Sequence, residues 1–219
     1  MVPVVSFVGH HNSGKTTFGV KVVEILKDRG YRVAVLKSTE HTGLIEDRPG
    51  TDSFRYARAG AGAVGIVEPD RLTLFLELKE RDPLYISFLL LGQFDIVICE
   101  GFKNSPLPKF EVIREEFRDR ALFRNLENLV GVISDFPVEG VRHFPIDRPQ
   151  EVAGFIEEEF IKKSDRTLLF VNGKKIPLKR FVQESLKGVV EGYIGALKGI
   201  EPEVEKIELK VKVDKKKSI

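Results

Sequence analysis

Gly9-His10-His11-Asn12-Ser13-Gly14-Lys15-Thr16 is the stretch whose reading decides the fold. It matches the pattern G-x-x-x-x-G-K-[ST], and the chemistry explains the spacing. The glycines let backbone N–H groups turn inward around phosphate oxygens, while the helix that follows points its positive end at the same anions. Lys15 then reaches the β- and γ-phosphates, and the Thr16 hydroxyl ligates magnesium. The expected nucleotide-binding set runs from Gly9 through His10, His11, Asn12, Ser13, Gly14, Lys15 and Thr16 to Thr17. Lys15 is also a catalytic candidate and Thr16 a metal candidate.

The flanks supply the context the pattern requires. Val2–Val8 is a short apolar run that reads as a buried strand. Lys15–Arg29 places Phe18, Val22, Val23, Ile25 and Leu26 at helical spacing, and Gly30 closes it as a glycine just past the helix end. Tyr31–Leu36 is the second strand. A strand–loop–helix–strand opening is a βαβ unit, so the predicted fold is α/β: a P-loop NTPase with a mostly parallel central sheet.

Downstream, Lys37–Thr51 carries turn residues and charge without periodicity and reads as a functional loop. Ser53–Gly60 is a short helix. Ala63–Val67 and Leu72–Leu78 flank Glu68-Pro69-Asp70-Arg71, a hairpin pattern. Asp82 caps a helix with Pro83 in its first turn, running to about Leu91. Phe94–Cys99 is a nearly continuous apolar strand of the sheet centre. Phe110–Ile113, Leu129–Ile133 and Val141–Phe144 are further strands, and a helix capped by Asp147 runs to about Ile161. Lys162–Arg166 is a polar break. After it, Thr167–Val171, a turn at Asn172-Gly173, Ile176–Leu178, a helix over Phe181–Leu197 and an alternating strand over Val204–Val213 predict a small β-β-α-β module. The expected domains are residues 1–163, nucleotide-binding, and 167–214, a C-terminal α+β module.

Composition narrows the function. With 35 basic and 33 acidic residues the net charge is +2, which makes no electrostatic case for a nucleic-acid binder. No apolar run approaches the roughly 20 residues of a membrane span. One cysteine, Cys99, lies in an apolar run and suits a reducing compartment. A cytoplasmic, soluble protein is expected. His10 and His11 occupy permissive positions of the loop, and with His41 and His143 they show no ligand-like spacing to a carboxylate or cysteine.

Asp95 and Glu100 border the same apolar strand. In open α/β sheets the ligand sits at the carboxyl ends of the strands, and five residues of strand separate the two acids by about 16 Å. Glu100 therefore faces the metal or the attacking nucleophile, or else it is a turn carboxylate paired to a lysine such as Lys103. Asp95 is a solvated residue at the strand start.

Taken together, Lys37-Ser-Thr-Glu-His41, Pro49-Gly-Thr-Asp-Ser-Phe-Arg55, Asp95-Ile-Val-Ile-Cys-Glu-Gly-Phe-Lys103 and Pro108-Lys-Phe-Glu-Val-Ile-Arg114 make the chain resemble the MobB family over about residues 1–160. That family comprises accessory proteins of molybdopterin guanine dinucleotide biosynthesis. The resemblance implies a GTP-binding P-loop homodimer that works beside the guanylyltransferase joining GMP to molybdopterin, with Mg2+ and slow GTP hydrolysis. By position it implies Asp52 or Asp47 at the metal through water, with Glu100 as a further metal candidate; alternatively Asp52 and Ser53 cap the helix that follows. Arg55 is placed on phosphate or substrate. Lys109 and Arg114 either face the pterin phosphate or are solvated charges on an edge strand. Many relatives have a histidine where Ser38 stands here, so no role is carried over for it. The Asn-Lys-x-Asp pattern of many GTPases is absent. Asp135 either accepts the guanine donors or caps a turn before Pro137. The alternative function is a small-molecule kinase or ATP-dependent ligase on the same fold.

Overall fold

The computed structural model of the chain describes residues 2–41, 48–78, 80–163, 167, 169–171, 174–199, 204, 207, 209 and 211. Residue contacts divide the chain into two units, Met1–Arg166 with Asn172–Lys174, and Thr167–Val171 with Lys175–Ile219.

In the first unit, strands β1 (Val4–Val8), β2 (Val33–Lys37), β5 (Ile96–Glu100), β6 (Lys109–Ile113), β7 (Leu129–Ser134) and β8 (His143–Pro145) form one sheet in the order β2-β5-β1-β6-β7-β8. Every pairing in it is parallel. Alternation explains why these strands are apolar throughout. Val5, Phe7, Ile96 and Ile98 point into one core, and Val4, Val97 and Cys99 into the other, so both faces must be hydrophobic. On the first face, α1 (Lys15–Asp28) presents Phe18, Val22 and Leu26, the predicted stripe, beside Val152, Ala153 and Ile156 of α4 (Pro149–Ile156). Phe110 is the hub of this core, with the rings of Phe7, Phe144, Phe155 and Phe160 centred 5.8–6.5 Å away. The second face packs against Leu84 of α3 (Pro83–Leu90) and the adjacent Leu91.

Several local expectations hold. Asp82 caps α3 through the Leu84 N–H at 2.9 Å, with Pro83 in the first turn. The hairpin of β3 (Ala63–Val67) and β4 (Leu72–Leu76) closes through Glu68 N–H to the Arg71 carbonyl. Others change. The cap position of α4 is held by Arg148, with no side-chain hydrogen bond, and not by Asp147, because the helix starts at Pro149, one residue later than a cap at Asp147 requires. The helix then widens into a π turn over Glu157–Ile161, where Lys162 N–H reaches the Glu157 carbonyl five residues back. Phe155 and Phe160 both pack against this core, their ring centroids 6.2 Å apart.

In the second unit, β9 (Leu169–Val171) pairs with β10 (Lys174–Ile176), and α5 spans Arg180–Gly195. The expected strand Ile176–Leu178 thus lies two residues earlier. The Asn172-Gly173 turn and most of the expected strand Val204–Val213 lie outside the described residues.

Candidate nucleotide site

The loop after β1 is shaped by its neighbour β6. Gly9 adopts φ +145, and a Cβ there would meet the Val112 carbonyl oxygen at 2.3 Å, so only glycine fits. Asn12 and Gly14 take left-handed conformations at φ 62 and 93, Ser13 N–H donates to the His10 carbonyl at 3.2 Å, and the Phe18 N–H bond to the Gly14 carbonyl opens α1. The Lys15 ammonium folds back over the loop onto the His10 carbonyl. Ser13 is buried, and its hydroxyl has no hydrogen-bond partner. A buried hydroxyl without a partner costs about 1–3 kcal/mol. An orphaned hydroxyl in the loop that leads into a helix start fits a phosphate as the missing acceptor.

Because β5 runs parallel to β1 with Phe7 beside Glu100, the carboxylate stands at the phosphate-loop end of the sheet. The Thr16 hydroxyl donates to Glu100 Oε2 at 2.7 Å, and the Lys37 ammonium lies 3.0 Å from Oε1. Burial pushes the Glu100 carboxyl up, but the Thr16 and Lys37 hydrogen bonds and the charges of Lys37 and Lys15 outweigh it and hold the group below its ordinary value. Burial lowers the Lys15 ammonium; Glu100 opposes that and Lys37 adds to it. Thr16 and Glu100 are thus the pair that would hold magnesium, whose chemistry at such a site is to neutralise charge on the β- and γ-phosphates.

Lys37, rather than Lys103, is the lysine on Glu100. It was legible as the last residue of a strand whose carboxyl end faces the ligand. Asp95 lies at the opposite end of β5, accepting the Arg32 backbone N–H at 2.7 Å and pairing with its guanidinium at 3.3 Å. Burial pushes the Cys99 thiol up to about 12, which leaves it an unreactive core group.

On the other side of the loop, Arg114 follows β6. Its guanidinium lies 3.4 Å from where a Gly14 Cβ would stand, and it pairs with Asp135 at 3.4 Å. Asp135 also accepts the Glu115 N–H at 2.8 Å, which starts a 3-10 turn over Glu115–Arg120. It therefore caps a turn, although that turn comes after β6 and not before Pro137. His10 is no permissive spacer. Its Nε2–H donates to the Arg120 carbonyl and its ring stacks on Phe117. The buried Glu111 accepts the N–H groups of Leu122 and Phe123 at 2.8 and 2.6 Å, which fastens the end of the same segment. Sequence reasoning passed over Glu111, whose one signal is a charge inside an otherwise apolar strand.

Lys109 is a correction. It was expected on a substrate or in solvent on an edge strand, but β6 is interior to the sheet and Lys109 is buried. Its ammonium donates to the carbonyls of Ser105, Leu107 and Glu127 at 2.5, 3.2 and 3.0 Å, leaving no donor for a substrate. Asp52 and Arg55 pair with each other at 3.4 Å on α2 (Asp52–Arg58), their side chains 87% and 76% exposed. Among the described residues neither touches Thr16 or Glu100, and the α2 cap is Thr51, which accepts the Phe54 N–H. Asp47 lies outside the described residues. The histidines are not brought together: His143 bonds the Ser134 hydroxyl, whereas His10 bonds Arg120.

Comparison with known proteins accords with this geometry. The family model described as molybdopterin guanine dinucleotide synthesis protein B matches residues 4–135. The molybdopterin-guanine dinucleotide biosynthesis adapter protein of Haemophilus influenzae is 32% identical over 162 residues, covering 71% of this chain and 88% of the relative. The protein of the same description from Escherichia coli is 29% identical over 174 residues, 75% of this chain and 97% of the relative. A crystal structure of molybdopterin-guanine biosynthesis protein B superposes with a TM-score of 0.57 at 30% identity, covering 71% of this chain and 98% of that one. A chain with this sheet, this phosphate loop and a family match spanning β1 to Asp135 belongs to the MobB family.

Proposed function

We propose that this chain binds GTP with magnesium at Gly9–Thr17 and serves as an adapter in molybdopterin guanine dinucleotide synthesis, hydrolysing GTP slowly on its own. The observation that carries the reading is the Thr16–Glu100 hydrogen bond beside the Lys15 ammonium. A metal-ligating hydroxyl, a carboxylate held ionised and a phosphate lysine converge at one end of the sheet. The pathway comes from the family, and the choice of guanine from the resemblance to it. Slow turnover follows where a partner, such as the guanylyltransferase, completes the catalytic groups.

A homodimer is part of the proposal. The β3–β4 hairpin is an isolated two-stranded sheet with Val67 82% and Leu72 61% exposed, the kind of surface a second copy would cover. The deciding experiment is a titration of purified protein with GTP and ATP in the presence of Mg2+. The expected outcome is tighter binding of GTP, and loss of most triphosphate affinity in Lys15→Ala with the fold intact. Equal affinity for ATP, with transfer of phosphate to a metabolite, would favour a kinase instead.

A further inference from the structure

The phosphate loop is flanked on two sides. Thr16, Glu100 and Lys37 stand on the β5 side, and the Lys15 ammonium folds over the loop onto the His10 carbonyl. On the other side β6 runs beside β1, with Glu111 opposite Val8, and the chain leaves the sheet at Arg114.

The Arg114 side chain turns back to the loop. Its Nη2, Nε and Cζ lie 3.4, 3.5 and 4.0 Å from the point where a Cβ on Gly14 would stand. Gly14 is the left-handed residue that precedes α1, so the guanidinium occupies space beside the helix start that a side chain there would enter. Nη1 is turned to Asp135 Oδ2, 3.4 Å away. Among the described residues Nε and Nη2 donate to no acceptor. Those two nitrogens form one edge of the guanidinium, a planar fork that matches two oxygens of a phosphate.

Strand register sets Asp135 behind this arginine. Ile113 pairs with Ser134, so Arg114 and Asp135 leave neighbouring parallel strands side by side. Asp135 Oδ1 accepts the Glu115 N–H at 2.8 Å while Oδ2 faces Arg114. One carboxylate thus fixes the arginine side chain and the backbone that follows it. Both of its oxygens are engaged within the protein, whereas a carboxylate that reads guanine turns both to the base.

A second observation marks the same glycine. Ser13, the residue before Gly14, is buried, and its hydroxyl has no hydrogen-bond partner. A lone hydroxyl and an open guanidinium edge therefore adjoin one stretch of the loop. The backbone of such a loop cradles the α- and β-phosphates, while its lysine reaches the β- and γ-phosphates. A cation beside Gly14, on the side away from Glu100, belongs to the α/β end.

We infer that Arg114 is a nucleotide-binding residue that clamps the α- and β-phosphates from the β6 side, and that Asp135 holds it there and does not read the base. The inference rests on the phosphate loop's holding a nucleoside triphosphate. It assigns Arg114 to the nucleotide and not to a pterin phosphate.

The test is calorimetric titration of the full chain with GTP, GDP and xanthosine triphosphate in the presence of Mg2+. Arg114→Ala should weaken GTP and GDP by the same factor, about tenfold or more, the scale of a charge-assisted contact. Arg114→Lys keeps the charge and loses the fork, so it should recover part of that loss. Thermal unfolding of both variants should stay close to the parent's, as for an exposed ion pair. Asp135→Asn should weaken GTP and GDP alike, add no loss in the Arg114→Ala background, and leave the preference for GTP over xanthosine triphosphate unchanged. Full affinity in Arg114→Ala, with GTP still lost in Lys15→Ala, overturns the inference and leaves the nucleotide reading standing. A loss confined to GTP would move Arg114 to the γ-phosphate and overturn the α/β assignment. A switch toward xanthosine triphosphate in Asp135→Asn, or an equal loss from it in both backgrounds, would overturn the role given to Asp135. A parent that binds neither GTP nor GDP would overturn the nucleotide reading and this inference together.

Discussion

Glu100 and Asp95 border one apolar strand, and their environments separate their roles. Glu100 shares its oxygens between the Thr16 hydroxyl and the Lys37 ammonium, whereas Asp95 ties down Arg32 at the far end of the sheet. Glu100→Gln removes the charge and keeps the shape, so it should impair magnesium-dependent hydrolysis while leaving the fold intact. Asp95→Asn should leave hydrolysis alone and cost at most about 1 kcal/mol, as for exposed ion pairs. Paired assays of hydrolysis and thermal unfolding check both; equal activity losses would refute the assignment. The pH dependence has a definite sign. The folded-state value of Glu100 lies below its unfolded one, so its contribution to stability is present above the ordinary carboxylate value and is lost as pH falls through the folded one. Denaturation midpoints measured on acidification should fall less steeply in Glu100→Gln than in the parent. Lys109 is a residue of stability. Lys109→Ala removes a buried ammonium from the carbonyls of Ser105, Leu107 and Glu127 and should cost about 3 kcal/mol in chemical denaturation, the upper end for hydrogen bonds to a charged group.

At the scale of elements, β6 joins core and site. Its Phe110 centres the aromatic cluster, its Val112 carbonyl forces glycine at position 9, its Glu111 holds the Leu122–Phe123 backbone, and Arg114 beyond its end lies against Gly14. Phe110→Ala should destabilise the protein by about 3–5 kcal/mol, measured from the urea midpoint, because the rings around it cannot all collapse into the space. The 3-10 turn over Glu115–Arg120 is fastened to the phosphate loop by His10 on its carbonyl side and to the end of β7 by Asp135 at its first N–H. The element boundaries were largely legible, since apolar periodicity and caps such as Asp82 are properties of neighbouring residues. Cap choice at α2 and α4 was not: Thr51 and Arg148 take those places because of backbone conformation, which composition does not report.

At the scale of the whole molecule, contacts divide the chain into a larger unit that carries the parallel sheet and the phosphate loop and a smaller one that carries α5. The polar break at Lys162–Arg166 and the change of pattern after it motivate a separable second unit. Protein truncated after Lys163 is expected to remain folded and to bind GTP with unchanged affinity, tested by calorimetry and by circular dichroism. Aggregation or loss of binding would make the second unit part of the first, or of a dimer interface. No described helix is long and apolar enough to cross a membrane.

What the sequence determined by itself is the phosphate loop, the βαβ opening and the direction of β5. Each follows from short-range chemistry: a fixed spacing of Gly, Lys and Thr, a 3.6-residue stripe, and the handedness of a crossover. Only the tertiary structure decided which distant groups meet. Lys37 rather than Lys103 reaches Glu100 because β2 is the strand beside β5. Lys109 is interior because β6 pairs on both sides, with β1 and β7, a fact of strand order and not of the residue. Arg114 lies on Gly14 because the sheet gathers its strands' carboxyl ends into one surface, and Arg81 lines one groove with Lys103 because the chain ahead of α3 returns to that surface. Contacts of that kind depend on sheet order and on the closure of loops between residues far apart in the chain, and local pattern carries no record of either.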